Sequence, residues 1–183
     1  YDKTHLVPFG EYVPLNLPVG KIVPAVGFFS PGDGAAPKPF LRRGVTVRLG
    51  PLICYEGIFP EISRGLADDG ANLLVNLTND AWYGVTSAPY QHLSMYVFRA
   101  IENGRYLARA ANTGVSGFID PYGRIVARSR IFTEETLSLR LPLIEEKTVY
   151  TWIGDAFAWA CAIVTVLALL AAFSVSRRRP RND

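Results

Sequence analysis

Four residues in two separate stretches have side chains that together could catalyse acyl transfer: Lys3 and Glu11, then Cys54 and Glu56. A thiolate is a strong nucleophile, but an ordinary thiol is only slightly ionised at neutral pH, so it needs a cation or a base beside it. Lys3 would supply positive charge to the thiolate and to an oxyanion. Taken singly, these residues have commoner interpretations: an inert buried cysteine, a solvated lysine and a turn carboxylate.

The sequence around Cys54 is typical of a nucleophile on a strand-to-helix turn. The apolar pair Leu52 and Ile53 ends at Cys54, and Gly57 and Pro60 then direct the chain into a helix predicted over 58–69. A nucleophile on such a turn is held out of the sheet, and the next backbone N–H groups point at the group that it attacks. This arrangement favours acyl transfer, because the same amides can hold the developing oxyanion.

The elements that must position these residues follow an α/β order, with strand patterns interleaved with two helical patterns. The predicted strands cover residues 1–7, 45–49, 52–54, 73–77, 106–111, 115–119, 125–127 and 136–141, and the helices cover 58–69 and 89–103. The inward stripe of the second helix is predicted to be Leu93, Tyr96, Val97, Ala100 and Ile101. Residues 15–39 are rich in Gly and Pro, which favours a long irregular loop that could serve as a lid.

The C-terminal part of the chain has the composition of a membrane anchor. Residues 156–175 are nearly all apolar and uncharged over about the length of a bilayer crossing, with Trp152 and Trp159 at the interface positions. An arginine cluster follows at 176–181, which predicts a cytoplasmic C-terminus and a domain on the other side of the membrane. The alternative is a buried core helix. We predict a catalytic domain over 1–150, a transmembrane helix over 151–176 and a basic cytoplasmic tail over 177–183.

Charge and cysteine usage argue against several other classes of protein. Of the 19 basic residues four lie in the tail, and of the 16 acidic residues only Asp183 does, so the remainder is balanced at 15 of each. This is not the charge pattern of a nucleic-acid-binding protein. Cys161 lies within the apolar segment and Cys54 far outside it, so the two cysteines do not suggest a disulfide framework. His5 and His92 are isolated from each other, so we expect no metal site, and we expect no cofactor.

Five short motifs resemble, in order, those of the nitrilase (carbon–nitrogen hydrolase) superfamily and, more closely, the apolipoprotein N-acyltransferases within it. They are YDKTHLVPFGEYVP at 1–14, ICYE at 53–56, NDAWYG at 79–84, RAIENGRY at 99–106 and ANTGVS at 111–116. The resemblance covers residues 1–150, and the apolar tail is similar to the family's final membrane helix. Several motifs in the right order are far more specific than any one of them.

The resemblance implies an α-β-β-α sandwich with a Glu–Lys–Cys catalytic set. Cys54 would be the nucleophile and Lys3 the electrostatic partner of the thiolate and of the oxyanion. Glu11 would be a second glutamate that holds the lysine in place. The backbone N–H of Tyr55 would be the other oxyanion donor, and Glu56 would anchor the turn.

The resemblance also implies a role for two aromatic residues and a general-base glutamate that is not among the residues of this sequence. Trp82 and Tyr83 would lie on a mobile arm near the lipid entrance, with ordinary packing within the domain as the alternative. The family's general-base glutamate and its other membrane helices precede the lysine segment. We therefore interpret the sequence as the C-terminal part of a longer protein, and we expect this portion alone not to turn over.

The activity implied is transfer of an acyl chain from a phospholipid, through a thioester on Cys54, to the α-amino group of a diacylglyceryl-cysteine apolipoprotein. The expected location is the bacterial inner membrane, with the catalytic domain on the periplasmic side. One alternative is a membrane-anchored amidase or nitrilase that gives the acyl group to water. Another is a non-catalytic, membrane-anchored binding domain.

Overall fold

A mixed β-sheet organises the part of the chain that the computed structural model describes, residues 1–14, 29–42 and 44–178. Its strands are β1 (Lys38–Arg42), β2 (Val45–Ile53), β3 (Leu73–Asn79), β4 (Leu107–Asn112), β5 (Gly117–Ile119) and β6 (Ile125–Arg128). They lie side by side in that order. The pairs β2–β3 and β3–β4 are parallel, and the other pairs are antiparallel.

Two α-helices connect the parallel strands, as parallel pairing requires a crossover. A short 3₁₀ helix (Cys54–Ile58) and α1 (Pro60–Asp68) lie between β2 and β3, and α2 (Ala88–Asn103) lies between β3 and β4. Ile62 and Leu66, four residues apart on the predicted inward face of α1, are both buried. A second 3₁₀ turn (Ala81–Tyr83) precedes α2, and α2 ends at Gly104 in the left-handed conformation.

Both helices pack on one face of the sheet. Alternate strand residues, among them Leu52, Leu74 and Leu107, are fully buried in a core with the apolar stripes of α1 and α2. Leu77, on the opposite face, is 55% exposed. The described residues of the unit Tyr1–Trp152 thus form one sheet covered on one face by two helices, an α/β arrangement as predicted.

Several predicted elements differ from the structure because a strand requires a partner. Residues 1–7 and 136–141 are not strands, since their backbone groups pair with no neighbouring strand. The patterns at 45–49 and 52–54 belong to one strand, β2, which ends at Ile53. Strand β1 was not predicted because it contains Pro39, which a strand at the sheet edge tolerates.

Two other predictions concern the long loop and the second helix. Part of the loop predicted over 15–39, residues 15–28, lies outside the described residues. Residues 29–37 are irregular, as expected. Ile101 was predicted to face inward but is 45% exposed, whereas Leu93, Tyr96 and Ala100 are buried as expected.

The connector, residues 129–148 between β6 and α3, is held against the core by buried polar groups. Arg105 is fully buried and donates to the carbonyl oxygens of Ala71 (2.7 Å) and Glu146 (2.6 Å). The connector leads into α3 (Val149–Ile153), where Thr151 is fully buried and its hydroxyl lies 2.9 Å from that of Thr148. These contacts belong to the compact unit Tyr1–Trp152.

The second unit, Ile153–Asp183, contains a long apolar helix, α4 (Ala156–Arg178). Its window Ala156–Phe173 has a mean hydropathy of 2.4, so by length and composition it is able to cross a membrane. Cys161 lies in this window and is a free thiol. Whether α4 crosses a membrane stays a prediction, as do the domain boundaries at 150 and 176.

Candidate active site

Cys54 is the first residue after β2 and the first of the 3₁₀ helix, and its backbone is unusual. Its φ of 51° lies in the left-handed region. A non-glycine residue rarely adopts this conformation, which costs about 1–2 kcal/mol because Cβ approaches the carbonyl oxygen. The turn therefore exists only because surrounding contacts hold it, and such strain is concentrated at functional sites.

Glu56 provides one set of those contacts from beneath the turn. It is fully buried, and its Oε2 accepts a hydrogen bond from the backbone N–H of Ile53 at 2.6 Å. Its Oε1 accepts from the N–H of Thr4 (2.6 Å), the hydroxyl of Thr4 (2.8 Å) and the hydroxyl of Tyr1 (2.9 Å). The N–H of His5 is a longer fourth donor at 3.3 Å. One carboxylate thus ties the first five residues to the Cys54 turn.

The hydroxyl of Tyr1 remains a donor in this arrangement. Burial and the hydrogen bond to the Glu56 carboxylate both raise the pKa of Tyr1 above its ordinary value. The phenol is therefore protonated at neutral pH, and its proton is directed at Glu56.

Lys3 and Glu11 form an ion pair on a tight loop. Lys3 Nζ lies 2.7 Å from each carboxylate oxygen of Glu11. Glu11 Oε2 also accepts from the backbone N–H of Val7 at 2.7 Å, and the N–H of Glu11 donates to the carbonyl of Val7 at 2.8 Å. The lysine side chain is only 10% exposed. Glu11 thereby holds the ammonium group in one place.

A cavity brings Cys54 and Glu11 together with the two predicted arm residues. It has a volume of about 380 Å³ and is lined by Val7, Phe9, Gly10, Glu11, Cys54, Asn79, Trp82 and Tyr83. A second cavity of about 600 Å³ shares Cys54, Glu11 and Trp82 with it. Trp82 is 83% exposed and Tyr83 37% exposed, so both aromatic residues border open space as well as the cavity that Cys54 lines.

Tyr55 follows the thiol, and its side chain and its backbone lie in different surroundings. The ring packs edge-on against Phe59, with ring centroids 5.0 Å apart. Its backbone N–H lies in the first turn of the 3₁₀ helix, where N–H groups lack partners within the helix. This N–H is therefore available as a donor beside the thiol, and its role as an oxyanion donor stays a prediction.

Beneath the turn lies a buried polar cluster that sequence reasoning missed as a functional feature. It consists of Asn76, Asp80, His92, Tyr96 and Arg109, each no more than 5% exposed. The hydroxyl of Tyr96 donates to the carbonyl oxygen of Cys54 and accepts from Asn76 Nδ2 at 2.7 Å. The available signal was the position of Asn76 and Arg109, polar residues inside apolar strand patterns.

The charges of the buried polar cluster are paired. Arg109 Nη2 lies 2.6 Å from Asp80 Oδ2, and His92 Nδ1 lies 3.0 Å from Asp80 Oδ1. Burial would raise the pKa of Asp80, but the hydrogen bond from His92 and the charge of Arg109 outweigh it, and the pKa lies below its ordinary value. Within residues 1–14, 29–42 and 44–178, no group of three His, Cys, Asp or Glu side chains is placed to hold a metal ion.

A mixed sheet with helical crossovers, and a cysteine where its first parallel strand ends, is the arrangement expected of a nitrilase-type α/β protein. The chain belongs to the carbon–nitrogen hydrolase family, whose sequence profile matches residues 1–149. A crystal structure of a carbon–nitrogen hydrolase from Helicobacter pylori G27 shares the fold, with a TM-score of 0.50 and 20% identity. That match covers 71% of this chain and 47% of the other.

Curated relatives narrow the resemblance within the family. The chain is 51% identical over 180 residues to an apolipoprotein N-acyltransferase of Geobacter metallireducens, covering 97% of this chain and 33% of the relative. It is 41% identical over 187 residues to one of Rhodopseudomonas palustris, covering 98% and 33%. The predicted resemblance is confirmed, and the chain spans about one third of the length of these relatives.

Proposed function

We propose that this chain carries the nucleophile-bearing part of an apolipoprotein N-acyltransferase. The proposal rests on one observation above all: strained Cys54 shares a cavity with Glu11, and Glu11 holds the Lys3 ammonium at 2.7 Å. The names of the relatives support this class of reaction over others that the same fold could host.

In the first half-reaction, the Cys54 thiolate attacks an ester carbonyl of a phospholipid. The new C–S bond forms as the ester C–O bond breaks, and the lysophospholipid alcohol leaves with the proton that the thiol gave up. Lys3 and the backbone N–H of Tyr55 would stabilise the negative charge on the carbonyl oxygen of the tetrahedral intermediate. The base that carries the proton would be the glutamate that the family resemblance places upstream of Lys3.

In the second half-reaction, the neutral α-amino group of a diacylglyceryl-cysteine apolipoprotein attacks the thioester. The C–N bond forms, the C–S bond breaks and the thiolate is regenerated, while the amine's surplus proton passes to the base. The same two donors serve the second oxyanion. Trp82 and Tyr83 would form the wall along which both lipid substrates approach, since both substrates carry acyl chains and the wall is aromatic.

Glu11 and Glu56 act through other residues in this mechanism. Glu11 would keep the Lys3 ammonium beside the cavity, because a free lysine side chain would extend into solvent. Glu56 would keep the Cys54 turn in place through its bond to Ile53 and its bonds to the first five residues.

The membrane helix fits this function because both substrates are lipids. We propose that α4 anchors the protein in the bacterial inner membrane. The arginine cluster at 176–181 would then be cytoplasmic and the Cys54 cavity periplasmic.

The test is intact-mass spectrometry of the longest form that the gene encodes, after incubation with phospholipid and without acceptor. We expect a mass gain of one acyl chain, released by hydroxylamine, in the wild type and in Cys161→Ser but not in Cys54→Ser. No adduct in the wild type would refute acyl transfer through Cys54. An adduct that decays to free fatty acid before an amine is added would identify a hydrolase instead.

A further inference from the structure

Tyr96 contacts the nucleophile turn through the backbone of Cys54. Its hydroxyl donates to the carbonyl oxygen of Cys54, and the Tyr96 side chain is fully buried. The ring also packs directly on the turn: a Cβ at Gly57 would lie 2.0 Å from the Tyr96 ring. Gly57 is therefore the residue type that permits Tyr96 to approach so closely.

The Tyr96 hydroxyl is itself oriented by the buried polar cluster. Asn76 Nδ2 donates to it at 2.7 Å and to the carbonyl of Leu52 at 2.9 Å. Asn76 Oδ1 accepts from Arg109 Nη1 at 2.5 Å, which fixes which end of the amide faces Tyr96. Since Asn76 supplies a donor, the hydroxyl must use its own proton toward Cys54.

The three strand residues involved are neighbours in register. Leu52 lies opposite Asn76, and Asn76 lies opposite Arg109, on the buried face of β2, β3 and β4. Arg109 continues the chain of contacts to Asp80, which directly precedes the turn that carries Trp82 and Tyr83. The buried polar cluster thus contacts the Cys54 turn at one end and, through Asp80, adjoins the turn that carries Trp82 and Tyr83 at the other.

The consequence for the site follows from the planarity of the peptide bond. The carbonyl of Cys54 and the N–H of Tyr55 belong to one peptide unit and point in opposite directions within its plane. A donor that fixes the carbonyl oxygen therefore also fixes the direction of the N–H. The Tyr96 bond pulls the carbonyl toward the buried cluster, so the N–H is directed away from the cluster.

We propose that Tyr96 is a positioning residue that directs the backbone N–H of Tyr55 at the oxyanion of the Cys54 adduct. This inference rests on the proposed function, which supplies the oxyanion. A misdirected donor stabilises the tetrahedral intermediate less but leaves ground-state binding of the phospholipid unchanged. The loss should therefore fall on the maximal rate of acylation.

The test compares Tyr96→Phe with two matched variants in the full-length protein. Tyr122→Phe removes the hydroxyl of an exposed tyrosine, and Thr151→Val removes a buried hydroxyl in α3, far from Cys54 in the chain. Formation of the acyl adduct is followed by intact mass at several phospholipid concentrations. Hydrogen–deuterium exchange of peptides covering 54–59 is measured in parallel.

We expect Tyr96→Phe to slow the maximal rate of adduct formation by about 10- to 100-fold, because removal of a whole oxyanion donor costs about 10²–10³. The half-saturating phospholipid concentration and the final labelled fraction should stay unchanged, and exchange at 54–59 should accelerate. Neither control should change the rate. An independent perturbation, Gly57→Ala, displaces the Tyr96 ring and should slow the same step.

Two results would overturn the inference. A Tyr96→Phe variant that labels a smaller fraction of molecules at the wild-type rate would show a purely structural role. If the wild type forms no adduct, the proposed function fails. The exchange data then still show whether Tyr96 holds the Cys54 turn. Exchange at 54–59 no faster than in Thr151→Val would show that Tyr96 does not hold the turn, whereas faster exchange would support its role as the residue that orients this peptide.

Discussion

Replacing Glu56 by Gln tests whether one buried carboxylate holds the nucleophile turn. Glu56 accepts hydrogen bonds at both oxygens, from Ile53 at Oε2 and from residues 1–5 at Oε1. An amide has only one acceptor oxygen, so in either orientation its NH₂ group faces at least one donor. Less stability is lost when the NH₂ group faces the N–H of Ile53 alone. More is lost when it faces the Tyr1 and Thr4 donors.

The magnitude can be worked from the smaller loss. A hydrogen bond to a charged group contributes about 1.5–3 kcal/mol, and a buried N–H left without a partner costs about 1–3 kcal/mol. At the lower end of these ranges the two effects together give a loss of about 3 kcal/mol in the free energy of unfolding. For a domain of about 150 residues this lowers Tm by about 6–12 °C.

The assay is thermal unfolding of the detergent-solubilised protein, with Glu134→Gln as the matched control. Glu134 is exposed, and a surface change of this kind usually alters stability by less than about 0.5 kcal/mol. Adduct formation at Cys54 should fall in Glu56→Gln even at temperatures where the variant is fully folded. Equal Tm values for the two variants would refute the reasoning, because the contacts of Glu56 would then not stabilise the turn.

Two further predictions concern the other buried and half-buried charges. Glu11→Gln removes the ion pair with Lys3 and should slow adduct formation on the order of tenfold or more, since the ammonium is no longer held by a residue that lines the Cys54 cavity. A rate equal to that of Glu134→Gln would contradict this role for Glu11. Because the pKa of Asp80 lies below its ordinary value, its stabilisation is present above about pH 4 and is lost as pH falls through the lower folded-state value. Asp80→Asn should therefore lower Tm at pH 7 and flatten the decline of Tm below about pH 4. Thermal unfolding measured between pH 3 and pH 7 checks this, and a Tm that changes with pH as it does in the wild type would exclude this contribution of Asp80.

The strands and helices that could be predicted were those with a strong local signal. The stripe of Ile62 and Leu66 identified α1, and the apolar run at 73–77 identified β3, because burial against a neighbour imposes a period on the sequence. Residues 1–7 looked like a strand for the same reason. The backbone N–H groups of Thr4 and His5 instead donate to the Glu56 carboxylate, about 50 residues away in the chain, and no local pattern records such a contact.

The residues proposed to react could be read from the sequence because their types are chemically distinctive. Cys54, Lys3 and Glu11 match a motif whose order along the chain is specific. The residues that place them could not be read in this way. Tyr96 resembles any apolar residue in the stripe of α2, and Asn76 lies in the middle of a strand pattern that predicts only burial.

The sequence by itself determined the family, the order of most strands and helices, and the residues proposed to react. Only the tertiary structure decided how those residues are held. Four of the five donors to Glu56 come from residues 1–5, and Tyr96 reaches the Cys54 carbonyl from α2, so these contacts join residues far apart in the chain. The physical reason is that periodicity and motifs report local preferences, whereas the direction of a hydrogen bond depends on where the rest of the fold places its partner.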